Sequence, residues 1–198
     1  MALVLGTNCG FVTVAPTADP AGTGGTADAR CNGLKHTSPA NTVRVTQMGW
    51  WCNTDTADVN YEIGIYSDAG AGEPELLLFV DTSNAKGTGT GWKTATVDFD
   101  IDPSTVYWLC LQLDDTSPTT DMDLATSGGV GSANVGAPTA TTLPADWGTS
   151  AATDADGMAA IYALVEIAGG AAVLGSLAGS GGLAGPGGLA GRGGGLAG

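Results

Sequence analysis

Alternation of apolar and polar residues with a period of two recurs along the chain, and it constrains the fold more than any other feature. The segments VNYEIGIY (residues 59–66) and WKTATVDFDI (92–101) place their apolar side chains on one face, which is typical of half-buried strands. In STVYWLCLQL (104–113) both alternating sets are apolar, so we predict a central strand that is covered on both faces. Shorter candidate strands lie at residues 3–5, 11–14, 43–51, 76–80 and 160–167.

Clusters of Gly, Ser, Thr, Asp and Pro separate these segments, and no stretch has the period of a long amphipathic helix. This pattern predicts an all-β fold, namely an antiparallel β-sandwich of the jelly-roll type. We divide the chain into an N-terminal arm with the first strands (residues 1–40), the β-sandwich domain (41–168) and a glycine-rich assembly tail (169–198).

The longest segment without a strand pattern, residues 125–157, contains Trp147. A loop of this length is usually functional or buried against a partner. Trp147 is therefore predicted to be an aromatic anchor for such docking.

The C-terminal tail repeats a unit of six residues: GSLAGS, GGLAGP and GGLAGR follow one another from Gly175, and GGGLAG ends the chain. Counted in threes, its residues fall into three rows, as they would on the three faces of a polyproline II helix. One row is entirely glycine, and a second carries the leucines. We predict a polyproline II or polyglycine II-like tail whose assembly residues are Leu177, Gly179, Gly182, Leu183, Gly185, Gly188, Leu189 and Gly191.

A helix of this type has no internal hydrogen bonds, so its N–H and C=O groups need partners in neighbouring chains. A bundle of tails from several subunits and a tail laid into the groove of a neighbour both meet that need. A collagen-like triple helix fits the register, but six triplets with one proline are too few to be stable alone. A flexible linker is the remaining alternative.

The charge of the chain limits its partners. Its 198 residues carry a formal net charge of −14 and six Lys and Arg side chains, too few to neutralise a row of phosphates. We therefore expect no nucleic-acid partner and no membrane surface. The N-terminus, MALVLGTNCGFVTV, lacks the basic region and long apolar stretch of a secretory signal peptide, and residues 158–174 are too short and too polar to span a bilayer.

The four cysteines permit two disulfides in three pairings, and their spacing includes no CxxC motif. Cys110 lies in an apolar run and is predicted to be a buried core residue. Cys9 and Cys31 flank a loop rich in Gly, Ala and Thr, so they are the candidate pair for a disulfide.

Catalytic chemistry has little support in the sequence. The single histidine, His36, has no serine nucleophile elbow to accompany it and is predicted to lie at the surface or at a strand edge. The carboxylate pairs lie in turns, where Asp is favoured for its local hydrogen bonds. We predict no enzyme, no assigned metal site and no cofactor, with Ca²⁺ at Asp121 and Asp123 or at Asp154 and Asp156 as the one candidate ligand.

Adjacent tryptophans stand at Trp50 and Trp51. Neighbouring residues of a strand point to opposite faces, so one ring faces the core and the other faces outward or into an interface. Trp51 and Trp147 are therefore candidates for an interface or for stacking on surface glycans.

Four short segments together resemble a known family. GIYSDAG (residues 64–70), EPELL (73–77), GWK (91–93) and TVYWL (105–109) follow one another as in the jelly-roll modules of the "choice-of-anchor" type, which occur in bacterial surface proteins and phage virion proteins. The resemblance covers about residues 42–115. It implies a jelly roll without known catalytic residues, and its motifs bear on fold more than on function.

These observations favour a non-enzymatic structural protein of a multi-copy assembly. The most economical setting is a phage virion component, such as a capsid decoration, head-fibre or tail-fibre subunit, with a self-assembling extracellular filament as the near variant. Its partners are then copies of itself and other virion or filament subunits. The alternative is a glycan-binding module or adhesin.

Overall fold

The alternating segments form strands that pack as two β-sheets in the computed structural model of the chain. It describes residues 2–27, 30–53, 60–70, 72–85, 87, 89–114, 121–125, 132–135, 142–150, 152–154 and 157–168. These residues form thirteen strands and no helix. The strands are β1 (Gly10–Val12), β2 (Thr23–Thr26), β3 (Cys31–Thr37), β4 (Thr42–Cys52), β5 (Asn60–Asp68), β6 (Pro74–Ala85), β7 (Gly91–Asp100), β8 (Val106–Leu113), β9 (Asp121–Ala125), β10 (Ser132–Val135), β11 (Ala152–Asp154), β12 (Met158–Ala159) and β13 (Ile161–Ile167).

Seven strands form the first sheet, which we call sheet I. Its main path is β1-β13-β4-β9-β12, while β7 pairs with β4 and β2 pairs with β9. Strand β1 runs parallel to β13, with Gly10 opposite Tyr162. The other strand pairs in the described part of the chain are antiparallel.

Six strands form the second sheet, sheet II, in the order β11-β10-β3-β8-β5-β6. Strand β8 lies between β3 and β5, and its residues from Tyr107 to Leu113 are buried. The prediction of a central strand covered on both faces is therefore confirmed for β8.

The main hydrophobic core lies between the inner faces of the two sheets. Trp50 from sheet I packs edge-on against Tyr61 from sheet II, with 5.8 Å between the ring centroids. Alternate residues of β5 and β8 fill the same layer, among them Ile63, Leu109 and Leu111. The predicted all-β sandwich of two mostly antiparallel sheets is confirmed.

Some sequence expectations change at the N-terminal end. Residues 3–5 form no strand beyond a single bridge between Leu5 and Cys9. Residues 10–37 supply β1, β2 and β3 to the two sheets, and Met1–Ala168 forms one compact unit. The boundary placed at residue 40 therefore falls inside the sandwich, because β3 pairs with the central strand β8.

Candidate interaction surfaces

The outer face of sheet II is closed by residues 142–150, which we call the cover segment. Leu143 donates its backbone N–H to Oε2 of Glu62 at 2.6 Å, and the hydroxyl of Tyr66 donates to the carbonyl of Pro144 at 2.6 Å. Two backbone hydrogen bonds tie the segment to the edge strand β6, from Leu77 to the carbonyl of Ala145 and from the N–H of Trp147 to Glu75. These contacts, from Leu143 to Trp147, hold the segment on the sheet.

A second hydrophobic cluster lies beneath the cover segment. Its buried members are Cys31, Tyr66, Trp108, Cys110, Leu143 and Trp147. Gly64 makes room for it, since a Cβ there would lie 2.9 Å from Cδ1 of Leu143 and 2.7 Å from the carbonyl oxygen of Phe79. This cluster explains why both faces of β8 are apolar.

Trp147 is an anchor, but the surface it docks on belongs to its own chain. Its side chain is 2% exposed, and its ring meets Tyr66 edge-on at 5.2 Å. The indole N–H donates to Oγ of Ser150 at 3.0 Å. The predictions of a partner-binding or glycan-stacking role for Trp147 are therefore corrected, because neither face of the ring is open to a ligand.

The outer face of sheet I carries an aromatic cluster of Trp51, Trp92 and Tyr162. Trp92 packs edge-on against the other two rings, at 5.5 Å from Trp51 and 5.1 Å from Tyr162. Tyr162 lies over Gly49, where a Cβ would come within 2.6 Å of the ring. Its hydroxyl donates to Oε1 of Gln47 at 2.6 Å, and burial raises its pKa to about 12.

Trp51 lies buried within this cluster, with 9% of its side chain exposed. Trp92 donates its indole N–H to the carbonyl of Ala18 at 3.1 Å, so the N-terminal arm contacts the cluster. The prediction that Trp50 and Trp51 face opposite sides is confirmed. The glycan-stacking role predicted for Trp51 is corrected, because Trp92 occupies the position that a sugar ring would need.

The predicted disulfide between Cys9 and Cys31 is wrong. All four cysteines are buried, and none of them forms a disulfide. Cys9 belongs to the core between the sheets, whereas Cys31 belongs to the cluster under the cover segment. Burial raises the pKa of each of these two thiols to about 12, and Cys110 is fully buried beside Cys31, as predicted for a core residue.

The two candidate calcium sequences differ in their surroundings. Asp121 and Asp123 lie on strand β9, not in a loop, and pair with Thr26 and Gly24 of β2. Asp154 ends β11, and Asp156 lies outside the described residues. Among the residues that the structure describes, no group of three or more His, Cys, Asp and Glu side chains is arranged to hold a metal ion.

Asp123 is nevertheless an unusual carboxylate. It is 1% exposed, its Oδ2 accepts a hydrogen bond from the N–H of Gly22 at 2.8 Å, and its buried Oδ1 has no partner in the described part of the chain. Burial raises the pKa of Asp123, and the hydrogen bond from Gly22 opposes that rise. The charged form is therefore held at a free-energy cost near neutral pH.

We expect Asp123→Asn to raise the free energy of unfolding at pH 7, because the amide keeps an acceptor for Gly22 and carries no charge. The folded pKa is raised, so the native chain gains stability as pH falls through that pKa. The advantage of the variant should vanish below the ordinary pKa of 3.8. Urea unfolding at several pH values measures it, with exposed Asp102→Asn as the control of equal charge. An advantage that persists at low pH would contradict the assignment.

His36 lies on β3 opposite Tyr107 of β8 and is half-buried; β10 pairs with β3 only from Cys31 to Leu34, so His36 lies at an edge of sheet II, as predicted. Its Nδ1 accepts the backbone N–H of Phe11 at 2.8 Å, and the two rings stack with centroids 5.8 Å apart. Burial lowers the pKa of His36, which keeps the imidazole neutral and able to accept. The side chain joins the N-terminal strand to the sandwich.

An open depression of about 530 Å³ lies where the chain leaves the sandwich. It is lined by Ala40, Asn41, Thr42, Val43, Asp100, Ile101, Pro103 and Ala168. Ala168 donates its N–H to the carbonyl of Asn41 at 2.7 Å, and Val43 is 41% exposed. We call this feature the exit depression.

The sequence did not indicate which surface the cover segment packs on, which residues cover the aromatic cluster, or that the exit depression exists. All three depend on contacts between residues far apart in sequence, such as Leu143 with Glu62 and Trp92 with Ala18. A usable signal was present for one of them, since two apolar faces on β8 require a second cover.

The predicted assembly residues, from Leu177 to Gly191, lie outside the described residues. In the described part of the chain no helix is long and apolar enough to cross a membrane. Comparisons with protein-family models, with curated proteins and with solved structures found no match.

Proposed function

We propose that this protein is a non-enzymatic structural subunit of a multi-copy assembly, in which the sandwich is the building block and the tail joins copies. The observation that carries the proposal is the six-residue repeat of the tail, with leucines at 177, 183 and 189 and a row of glycines beside them. Such a segment satisfies its backbone groups through other chains, and repetition suits repeated contacts between identical subunits.

The attachment of the tail supports this role. It follows β13, which pairs with β4 from Ile161 to Ile167 and, on its other side, with β1 from Tyr162 to Leu164. A strand held on both sides resists a pull along its length better than an edge strand, because all its ladder hydrogen bonds must break together. The hydrogen bond from Ala168 to Asn41 adds a last fixed point before the tail.

The body fits the role of a building block. The cover segment packs on the outer face of sheet II, and the N-terminal arm contacts the aromatic cluster on the outer face of sheet I at Ala18. The side chains of the chain sum to a net charge of −14, which keeps separate copies soluble until a specific contact joins them.

The setting that we propose is a phage virion, as a capsid decoration, head-fibre or tail-fibre subunit, with an extracellular filament as the near variant. The resemblance to the "choice-of-anchor" jelly-roll modules supports it. Its four motifs fall on β5, β6, β7 and β8 and the turn between β5 and β6. From β3 to β8 the chain crosses repeatedly between the two sheets, which supports the jelly-roll assignment as well.

We expect the full chain to form multi-copy particles or fibres, and a chain ending at Ala168 to remain monomeric. Negative-stain electron microscopy and sedimentation velocity over a range of concentrations measure the difference. A chain with a scrambled tail of equal length and composition is the matched control, since it keeps the glycines and leucines but loses their spacing. It should not assemble.

A full-length chain that stays monomeric at high concentration would remove the proposal. Assembly of the scrambled chain as well as the native one would remove the role of the repeat.

A further inference from the structure

We propose that the exit depression binds the tail of a second copy of this chain, by taking up a leucine of the repeat and hydrogen-bonding its backbone. This inference rests on the proposed function, and it names the surface on the body that receives the tail.

The lining suits an apolar side chain such as leucine. Ala40, Val43, Ile101 and Pro103 provide apolar walls, and Val43 is one of the few large apolar side chains of the described residues that is well exposed. Burying an exposed apolar side chain against a leucine is favourable at about 25 cal/mol per Å². The tail offers a leucine every six residues over its three complete repeats.

Thr42 offers a polar contact in the depression. It lines the depression and is 1% exposed, and its Oγ1 has no hydrogen-bond partner in the described part of the chain. A buried hydroxyl without a partner is unfavourable, and a peptide group entering the depression would supply one. A glycine-rich extended chain presents such groups without side chains that block their approach.

The charges on the two surfaces are complementary. Asp100 lines the depression, and Asp98 and Asp102 lie two residues before and after it in the chain. Arg44 pairs with Asp98 and Asp100, at 3.0 and 2.8 Å, and Asp102 is exposed. Residues 169–198 contain no Asp or Glu, and Arg192 is their charged side chain. The tail is therefore attracted to this end of a neighbouring body.

The reach of the tail allows the contact between copies. Fifteen residues separate Ala168 from Leu183. At about 3.1 Å per residue in a polyproline II helix they span about 47 Å. A compact unit of this size has a radius of gyration of about 15 Å, so Leu183 can reach the depression of a neighbour.

Val43→Asp in the full chain should abolish assembly, because the charge enters the depression unpaired. Leu78→Asp is the matched control, since Leu78 is equally exposed at 43% but lies on β6 in the other sheet. Both substitutions are at exposed positions, and circular dichroism checks that each variant is folded. Assembly that survives Val43→Asp overturns the inference.

Thr42→Val separates the depression's role in binding from its role in folding. Removal of the unpartnered hydroxyl should raise the melting temperature of the dissociated subunit, while the concentration needed for assembly rises about fivefold. A variant whose assembly is unchanged overturns the role of the hydroxyl.

Crosslinking tests the contact itself. Val43→Cys copies are mixed with copies carrying Leu177→Cys, Leu183→Cys or Leu189→Cys, and a short bismaleimide is added. The four native cysteines are buried and should not react. We expect a crosslink between the two kinds of copy, and none when Leu78→Cys replaces Val43→Cys.

The outcomes distinguish the two levels of the proposal. Assembly without the Val43–tail crosslink overturns this inference and leaves the proposed function in place. A further variant carries Val43→Cys and Leu183→Cys in one chain. If its crosslink forms only within a single chain, the claim that a second copy is the partner is overturned. Full-length chains that never assemble overturn the proposed function and this inference together.

Discussion

Replacement of Trp147 by alanine is expected to lower the free energy of unfolding by about 3–5 kcal/mol. The substitution removes the largest side chain of the cover segment and leaves a cavity above Tyr66 and Trp108. It also removes the indole donor that Ser150 accepts and the edge-on ring contact with Tyr66. Since small domains are stable by about 5–15 kcal/mol, the variant should be close to the limit of folding.

Denaturant unfolding followed by circular dichroism measures this loss. Trp147→Phe is the matched control, because it keeps an aromatic ring against Tyr66 and loses only the indole donor and some area. Its loss should be about 1–2 kcal/mol. If both variants lose the same amount, the indole hydrogen bond and not the buried ring holds the cover segment.

Cysteine reactivity gives a second measure of how far Trp147→Ala loosens the cover segment. Cys31 and Cys110 lie under the cover segment, whereas Cys9 and Cys52 lie in the core between the sheets. Exposure to water would bring the pKa of Cys31 down from about 12 toward its ordinary value of 9.0 and so increase its thiolate fraction. In Trp147→Ala the first two thiols should therefore react with a thiol reagent before the other two do. Equal reactivity of all four would mean that the whole sandwich opens.

The strands with clear alternation could be predicted because their signal is local. In β5, β7 and β8 each side chain's environment follows from its position in a two-residue period. Strand β3 was missed because Asn32, Gly33 and Lys35 interrupt that period. Its place beside β8 is set by partners far along the chain, such as Gln112 opposite Cys31.

The surfaces were harder to predict than the strands. The sequence indicates that Trp51 faces away from Trp50, but whether the outward ring is open depends on Trp92, 41 residues later, and on the N-terminal arm at Ala18. In the same way, the length of residues 125–157 indicates docking, while only the fold identifies Tyr66 as the docking partner of Trp147. A periodic pattern gives the direction of a side chain and not the identity of what covers it.

Gly10→Ala should lower the free energy of unfolding by about 2–5 kcal/mol. Gly10 has a φ of +71°, in the left-handed region that residues with a Cβ adopt at a cost. A Cβ at this position would also overlap the imidazole of His36. The ring would have to move, and the N–H of Phe11 would lose its acceptor.

Gly148→Ala separates these two effects. Gly148 has the same φ of +71°, but a Cβ there would meet no atom within 4 Å. Its loss should be limited to the backbone term, about 1–2 kcal/mol. The difference between the two variants measures the clash with His36. If the two variants lose equal amounts, the packing of Gly10 against the imidazole has no influence on stability.

The pH dependence of Gly10→Ala shows whether His36 acts as an acceptor or only fills space. Burial lowers the pKa of His36. The contribution of the neutral imidazole to the free energy of unfolding is therefore complete above the ordinary pKa of 6.5, and it is lost as pH falls from that value toward the folded pKa. Protonated His36 cannot accept from Phe11. The variant has already lost this hydrogen bond, so the gap between it and the native chain should narrow as pH falls below 6.5. If the difference in free energy of unfolding is constant with pH, Gly10→Ala destabilises the chain by displacing the imidazole ring and not by breaking its hydrogen bond.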